Sequence, residues 1–134
     1  MKSRIDLVKG WIRKGENDLR IAAHAIETME SPPTDTICFH AQQCAEKYLK
    51  AFLVQKGIDF PYTHYLEDLV SLCATEDKEF ESLIPEVKLL TPYAVEIRYP
   101  GEFIEISVKD TEIAVKTAKK VKKFVLSKLP ELPA

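Results

Sequence analysis

Apolar residues recur along most of this 134-residue chain at three- and four-residue steps, and no stretch of any length alternates as a strand would. Val8, Trp11, Ile12, Leu19, Ala22, Ala23, Ile26 and Met29 form one stripe, which predicts a long amphipathic helix over 3–30. Gly15 lies within that stripe. A mid-helix glycine costs about 1 kcal/mol against alanine, so a close helix crossing is expected there. After the breaker Ser31-Pro32-Pro33, a second helix is predicted from Thr34 to Lys56, with Gly57 as its C-terminal stop. Its inner face holds Ile37, Ala41, Cys44, Ala45, Tyr48, Leu49, Ala51 and Phe52, and so many small residues predict tight packing against a neighbouring helix or a second subunit.

Thr63 is a candidate cap for a shorter helix from His64 to about Ala74. From Lys78 to Tyr99 the pattern is helical but interrupted by Pro85 and Pro92. Thr91-Pro92 reads as an N-cap with proline at the first helical position, so a break is expected near Thr91 and a final piece ending at Arg98. Residues 100–108 read as a connector with Ile104, Ile106 and Val108 against the bundle. A last helix, Lys109 to Leu129, is expected to bury Ile113, Ala114, Ala118, Val121, Phe124 and Val125. Four to five amphipathic helices on short connections imply an all-α fold, an antiparallel up-and-down bundle, with residues 1–134 as a single domain.

Composition narrows the class. With 46% apolar and 30% charged residues the chain is expected to be globular. Its longest apolar run, Ala51–Val54, is too short to cross a bilayer, and the polar start MKSRIDLVKG does not resemble a signal peptide, so a cytoplasmic location without membrane association is expected. Three cysteines without a Cys-x-x-Cys pair, and His24, His40 and His64 on separate segments, argue against disulfides and against a metal site. No phosphate loop or other cofactor motif is present, so no cofactor is expected. The net charge of −2 is unevenly spread: residues 109–129 carry seven lysines against Asp110 and Glu112. That asymmetry permits a basic surface on the terminal helices; with no aromatics among the lysines, a solvated helix face is the plainer reading.

Four segments together resemble the HEPN family: CFHAQQCAEKYLKAFL (38–53), ENDLRIA (16–22), THYLEDL (63–69) and YAVEIRYP (93–100). The resemblance implies a helical bundle that pairs into a homodimer. It further implies a role in nucleotide or RNA binding and, in many relatives, partnership with a separately encoded minimal nucleotidyltransferase in a toxin–antitoxin-like system. Many HEPN proteins are metal-independent RNases with an Arg-x4–6-His motif. Here the positions that would hold the histidine after Arg98 are Phe103, Ile104 and Glu105, so the motif is not intact. Arg20 and His24 have three intervening residues and do not supply it. Nuclease activity is therefore not carried over, and enzymatic activity stays open. A dimeric binding module for nucleotide or RNA phosphate is the leading reading; a divergent metal-independent RNase and a non-catalytic structural adaptor are the alternatives.

Candidate residues follow. His40, Gln43 and Lys47 fall on one line of the second helix, where histidine and lysine could take phosphate and glutamine a base or sugar; equally, His40 is a boundary residue and the Lys47 stem covers apolar surface. Arg98 could cap carbonyls, face an anion or pair with Asp18, and Tyr99 could stack on a base. Asp18 lies on the inward stripe. A carboxylate there must be paired, which gives it a structural or orienting role.

Overall fold

The computed structural model describes residues 3–63, 65–94 and 105–130. Five α-helices are present among them: α1 (Arg4–Thr28), α2 (Thr34–Gln55), α3 (Leu66–Ala74), α4 (Ile84–Lys88) and α5 (Val108–Ser127). Two 3₁₀ turns, Lys78–Leu83 and Thr91–Ala94, flank α4. The described residues contain no strand, and the all-α bundle expected from the periodicity is the fold observed.

Each long helix is delimited by local chemistry. Ser3 caps α1 with a reciprocal box, its Oγ accepting from the Asp6 amide while an Asp6 carboxylate oxygen accepts from the Ser3 amide. Gly57 stops α2 in the left-handed region at φ +70, which other residues adopt only with strain. Ser107 caps α5 by accepting from the Asp110 amide.

Helix α2 is the centre of the molecule. Its small residues Ala41, Cys44, Ala45 and Ala51 are completely buried, alongside Tyr48, Leu49, Phe52 and Leu53. Because α2 is covered on most sides, small side chains are what let α1 and α5 approach it. Helix α1 runs antiparallel to α2: Arg4 bonds the Gln55 carbonyl, and Asp18 meets His40. Helix α5 runs parallel to α2, with Thr111 beside Cys38 and Lys122 reaching the carboxylate that Tyr48 also touches. Phe80 closes the core between Phe52 and Phe124, with ring centroids 4.4 and 5.0 Å away.

Several local expectations are corrected. Helix α3 begins at Leu66, and Thr63 does not cap it: its hydroxyl bonds the Asp68 side chain and accepts from the Tyr65 amide. The first amide of α3 is instead taken by Thr91, distant in sequence, whose hydroxyl also donates to Glu67. The segment before Thr91 is short because Pro85 starts rather than continues a helix, leaving 3₁₀ geometry ahead of it. Met29, Val108 and Ile113 are 49%, 49% and 41% exposed: Met29 and Val108 fall at helix ends, and Ile113 lies on the exposed side of α5 while Thr111, Ala114 and Val115 near it are buried; Ile106 is buried as expected. Ile104 and the helical piece expected to end at Arg98 lie outside the described residues.

The Gly15 crossing is confirmed in detail. A β-carbon there would lie 3.0 and 3.1 Å from two atoms of the Tyr48 ring and 3.4 Å from the Cys44 carbonyl. The ring is buried and its hydroxyl is hydrogen-bonded to Glu16, so it cannot swing away. Gly10, on the same helix, has nothing within 4 Å of such a carbon. Gly10→Ala should therefore raise stability by up to about 1 kcal/mol through helix propensity alone. Gly15→Ala should lower it despite the same gain, with Gly15→Val costing about 1–3 kcal/mol more through overpacking. Thermal or urea unfolding of the variants checks the opposite signs.

Candidate functional site

The crossing at Gly15 sets the position of everything on the next turn of α1. Asp18 lies three residues on and is 7% exposed, beside buried Leu19 and Ala22. On α2, His40 and Lys47 straddle Cys44, the residue whose carbonyl lies opposite Gly15. They are seven residues apart, about 10 Å of helix rise, so only a long side chain lets both reach one carboxylate. They do. One Asp18 oxygen lies 2.8 Å from His40 Nδ1 and the other 2.5 Å from Lys47 Nζ.

This arrangement satisfies a carboxylate that would otherwise be costly to bury. It also orients the imidazole, because engagement of Nδ1 leaves Nε2 as the nitrogen not held by Asp18. The His40 and Lys47 side chains keep 24% and 20% of their surface, so both remain accessible at the margin of the bundle. Phe39 packs edge-on to the imidazole, 5.7 Å between centroids.

Gln43 does not join this cluster. Its amide donates to the side-chain oxygen of Gln42, whose own amide donates to Glu46, and Glu46 receives Lys50. The Lys50 ammonium then sits 5.3 Å above Trp11 and 5.4 Å above Phe60, a cation held between two rings. Gln42 is completely buried. Its place on a helix covered on most sides made that legible only once the neighbours of α2 were known.

A second α1 carboxylate, Glu16, faces the other way. It accepts from the Tyr48 hydroxyl at 3.2 Å and receives Lys122 of α5 at 2.5 and 2.6 Å, tying three helices together. Burial, and then the Glu16 charge, push the Tyr48 phenol above its ordinary range. Burial, with the nearby Asp18 charge second, pushes the Cys44 thiol up to about 12; burial does the same for Cys73. These thiols stay protonated at neutral pH and are not nucleophiles. The Tyr48–Glu16–Lys122 bridge was not anticipated, although a tyrosine predicted on the inner face requires some acceptor for its hydroxyl.

Arg98 and Tyr99 lie outside the described residues. The expected Asp18–Arg98 pair is thus not described, and each Asp18 oxygen has a partner on α2. Among the described residues no group of three or more His, Cys, Asp or Glu side chains could hold a metal ion, and no helix is long and apolar enough to cross a membrane.

A family model for the HEPN domain matches residues 8–129. The chain belongs to the HEPN domain family. Among similar proteins is "Putative toxin MJ1304" of Methanocaldococcus jannaschii, 29% identical over 141 residues that span 95% of this chain and 91% of that protein. The crystal structure of TT1696 from Thermus thermophilus is similar at a TM-score of 0.74 and 27% identity, covering 91% of this HEPN chain and 98% of that one. ST0689, described as an archaeal HEPN homologue, shares the fold at a TM-score of 0.69 and 24% identity, with 96% and 98% covered. The family match includes Asp18, His40 and Lys47.

A double-mutant cycle tests the pairing. Asp18→Asn combined with Lys47→Met should show a coupling energy above about 0.5 kcal/mol in urea unfolding; additivity within error would remove the pair. The raised thiols carry a pH signature. Groups with raised folded pKa contribute stability that is whole below the ordinary value of 9.0 and is lost as pH rises toward about 12. A thiol reagent at pH 8 should accordingly label Cys44 and Cys73 only at the rate of unfolding.

Proposed function

We propose that this HEPN domain is a single-domain, homodimeric cytoplasmic binding module for a nucleotide or an RNA phosphate, working with a separately encoded minimal nucleotidyltransferase in a toxin–antitoxin-like pair. The observation that carries the reading is the Asp18 cluster: a buried carboxylate holding one imidazole and one ammonium from α2 at a half-buried surface. The Lys47 ammonium, and His40 Nε2 in the imidazolium form, would supply donors to phosphate oxygens. Arg98 and Tyr99 complete the proposed site, the guanidinium as a second phosphate donor and the phenol ring as a stacking surface. Gln43, engaged by Gln42, is a weaker contributor than the line along α2 promised.

Asp18 offsets the Lys47 charge, so the cluster by itself is not strongly cationic. Phosphate binding there would draw on the imidazolium form of His40 or on Arg98 as a further cation; binding is placed before catalysis because no histidine stands four to six residues after Arg98. A divergent metal-independent RNase is the second reading. It is favoured by the carboxylate-to-Nδ1 contact, the arrangement by which general-base histidines are oriented, and by the toxin description of the Methanocaldococcus jannaschii relative.

Equilibrium binding of ATP and of a 20-nucleotide RNA, with an RNA cleavage assay in EDTA, separates the readings. The binding module requires retention of ligand without turnover and at least a tenfold loss of affinity in His40→Ala and Lys47→Ala. Unchanged affinity in both variants removes this site. Cleavage that disappears in Arg98→Ala and His40→Ala would establish the RNase; neither binding nor cleavage leaves the adaptor. Light scattering reports the dimer.

A further inference from the structure

Helices α1 and α5 both lie on α2, and on the side away from it they enclose an open trough of about 470 Å³. Its floor is aliphatic, made by Leu19, Ala23 and Leu126. Leu126 is 39% exposed, unusual for a leucine with neighbours on two helices. Around this floor stand Arg20 on α1 and Lys119 and Lys123 on α5, at the rim of the trough. None of these three forms an ion pair among the described residues. The trough has one carboxylate, Glu16, already neutralised by Lys122.

An apolar strip between unneutralised cations has a specific complement. A nucleic acid would find phosphate partners here but no aromatic ring among the lining residues on which to stack a base. It would leave the aliphatic floor without a matching surface. An amphipathic helix with leucine-like side chains on one face, flanked by Asp or Glu, would fill the floor and pair with the rim. The trough runs from Glu16 to Ala23, about 10 Å of helix rise, which suits two turns of such a helix.

We propose that the α1–α5 trough is a docking site for a short acidic amphipathic helix of a partner protein, which goes beyond the nucleotide or RNA reading and does not depend on it. The apolar floor sets affinity and the cations set orientation and rate of capture.

The probe is a fluorescein-labelled 14-residue helical peptide with leucines at three- and four-residue spacing and glutamates on both flanks. A version with lysine for glutamate and a 12-nucleotide oligouridylate serve as competitors. Anisotropy at two salt concentrations, with amide chemical-shift mapping on the full chain, reads affinity and location. The expected result is a set of shifts centred on Leu19, Ala23, Lys122 and Leu126. Affinity should fall at least tenfold in Lys119→Glu/Lys123→Glu and severalfold in Leu126→Ala, with circular dichroism unchanged. Shifts centred elsewhere, or equal binding of the lysine peptide, would overturn the proposal. So would displacement by oligouridylate at comparable concentration, which would make the trough a nucleic-acid surface. A change in oligomeric state on charge reversal would instead assign it to a second copy of this chain. The Asp18 cluster is untouched by these variants, so His40-dependent nucleotide binding can fail or succeed independently.

Discussion

The backbone of α1 passes α2 at Gly15 with so little room that a single methyl group would come within 3.0 Å of the Tyr48 ring, and the chemistry on either side of α1 is organised around that approach. Burying the Tyr48 ring brings its hydroxyl into the helix interface, where it needs a partner. The residue after Gly15 supplies it. Glu16, in turn, could not sit beside a buried phenol uncompensated, and Lys122 of α5 answers it. One missing side chain thus allows a contact that links α1, α2 and α5. It also brings Asp18 within reach of α2.

Glu16 and Asp18 are two residues apart, and at about 100° of rotation per residue they leave α1 on opposite flanks. The two carboxylates therefore serve different surfaces. Glu16 takes one lysine and a phenol, a closed arrangement that contributes rigidity at the α1–α5 side. Asp18 takes a lysine and an imidazole, which leaves a titratable ring at the bundle margin with one nitrogen free of the carboxylate. A buried acid that holds two partners from one helix also locks the register of α1 on α2, because a shift by one turn would separate it from both.

How much of this could be read from the chain alone depended on whether the deciding contacts were local. Helix periodicity, the Gly57 stop and the inward placement of Asp18 are properties of one helix at a time, and they were legible. So was the crossing at Gly15, since a glycine in an apolar stripe is an anomaly within its own helix. Partner choice was not. Asp18 could be matched with Arg98 on the wheel as well as with His40 and Lys47, because the wheel carries no information on the register between helices. Capping was misread for a related reason: Thr63 fits the local rule, yet Thr91 takes the first amide of α3 from another element. Met29 falls just past the end of α1, and Ile113 is on the exposed side of α5 although Ala114 and Val115 next to it are buried. The HEPN-like segments were informative because they combined phase and spacing across helices.

The two flanks also differ in net charge, and this bears on what each could bind. At the Asp18 cluster the carboxylate cancels the ammonium, so long-range attraction for an anion is weak and selectivity must come from short, directional hydrogen bonds. In the α1–α5 trough, Arg20, Lys119 and Lys123 form no ion pair among the described residues and stand around an apolar strip, so capture at long range is favoured over directional bonding. The first arrangement suits a small group held in one pose. The second suits an extended surface that must be found quickly and can slide before it seats. Both originate in α1, whose single glycine crossing leaves little freedom to move one flank without the other. A ligand at Asp18 that shifted α1 would therefore alter the trough through a rigid helix rather than through a chain of side chains.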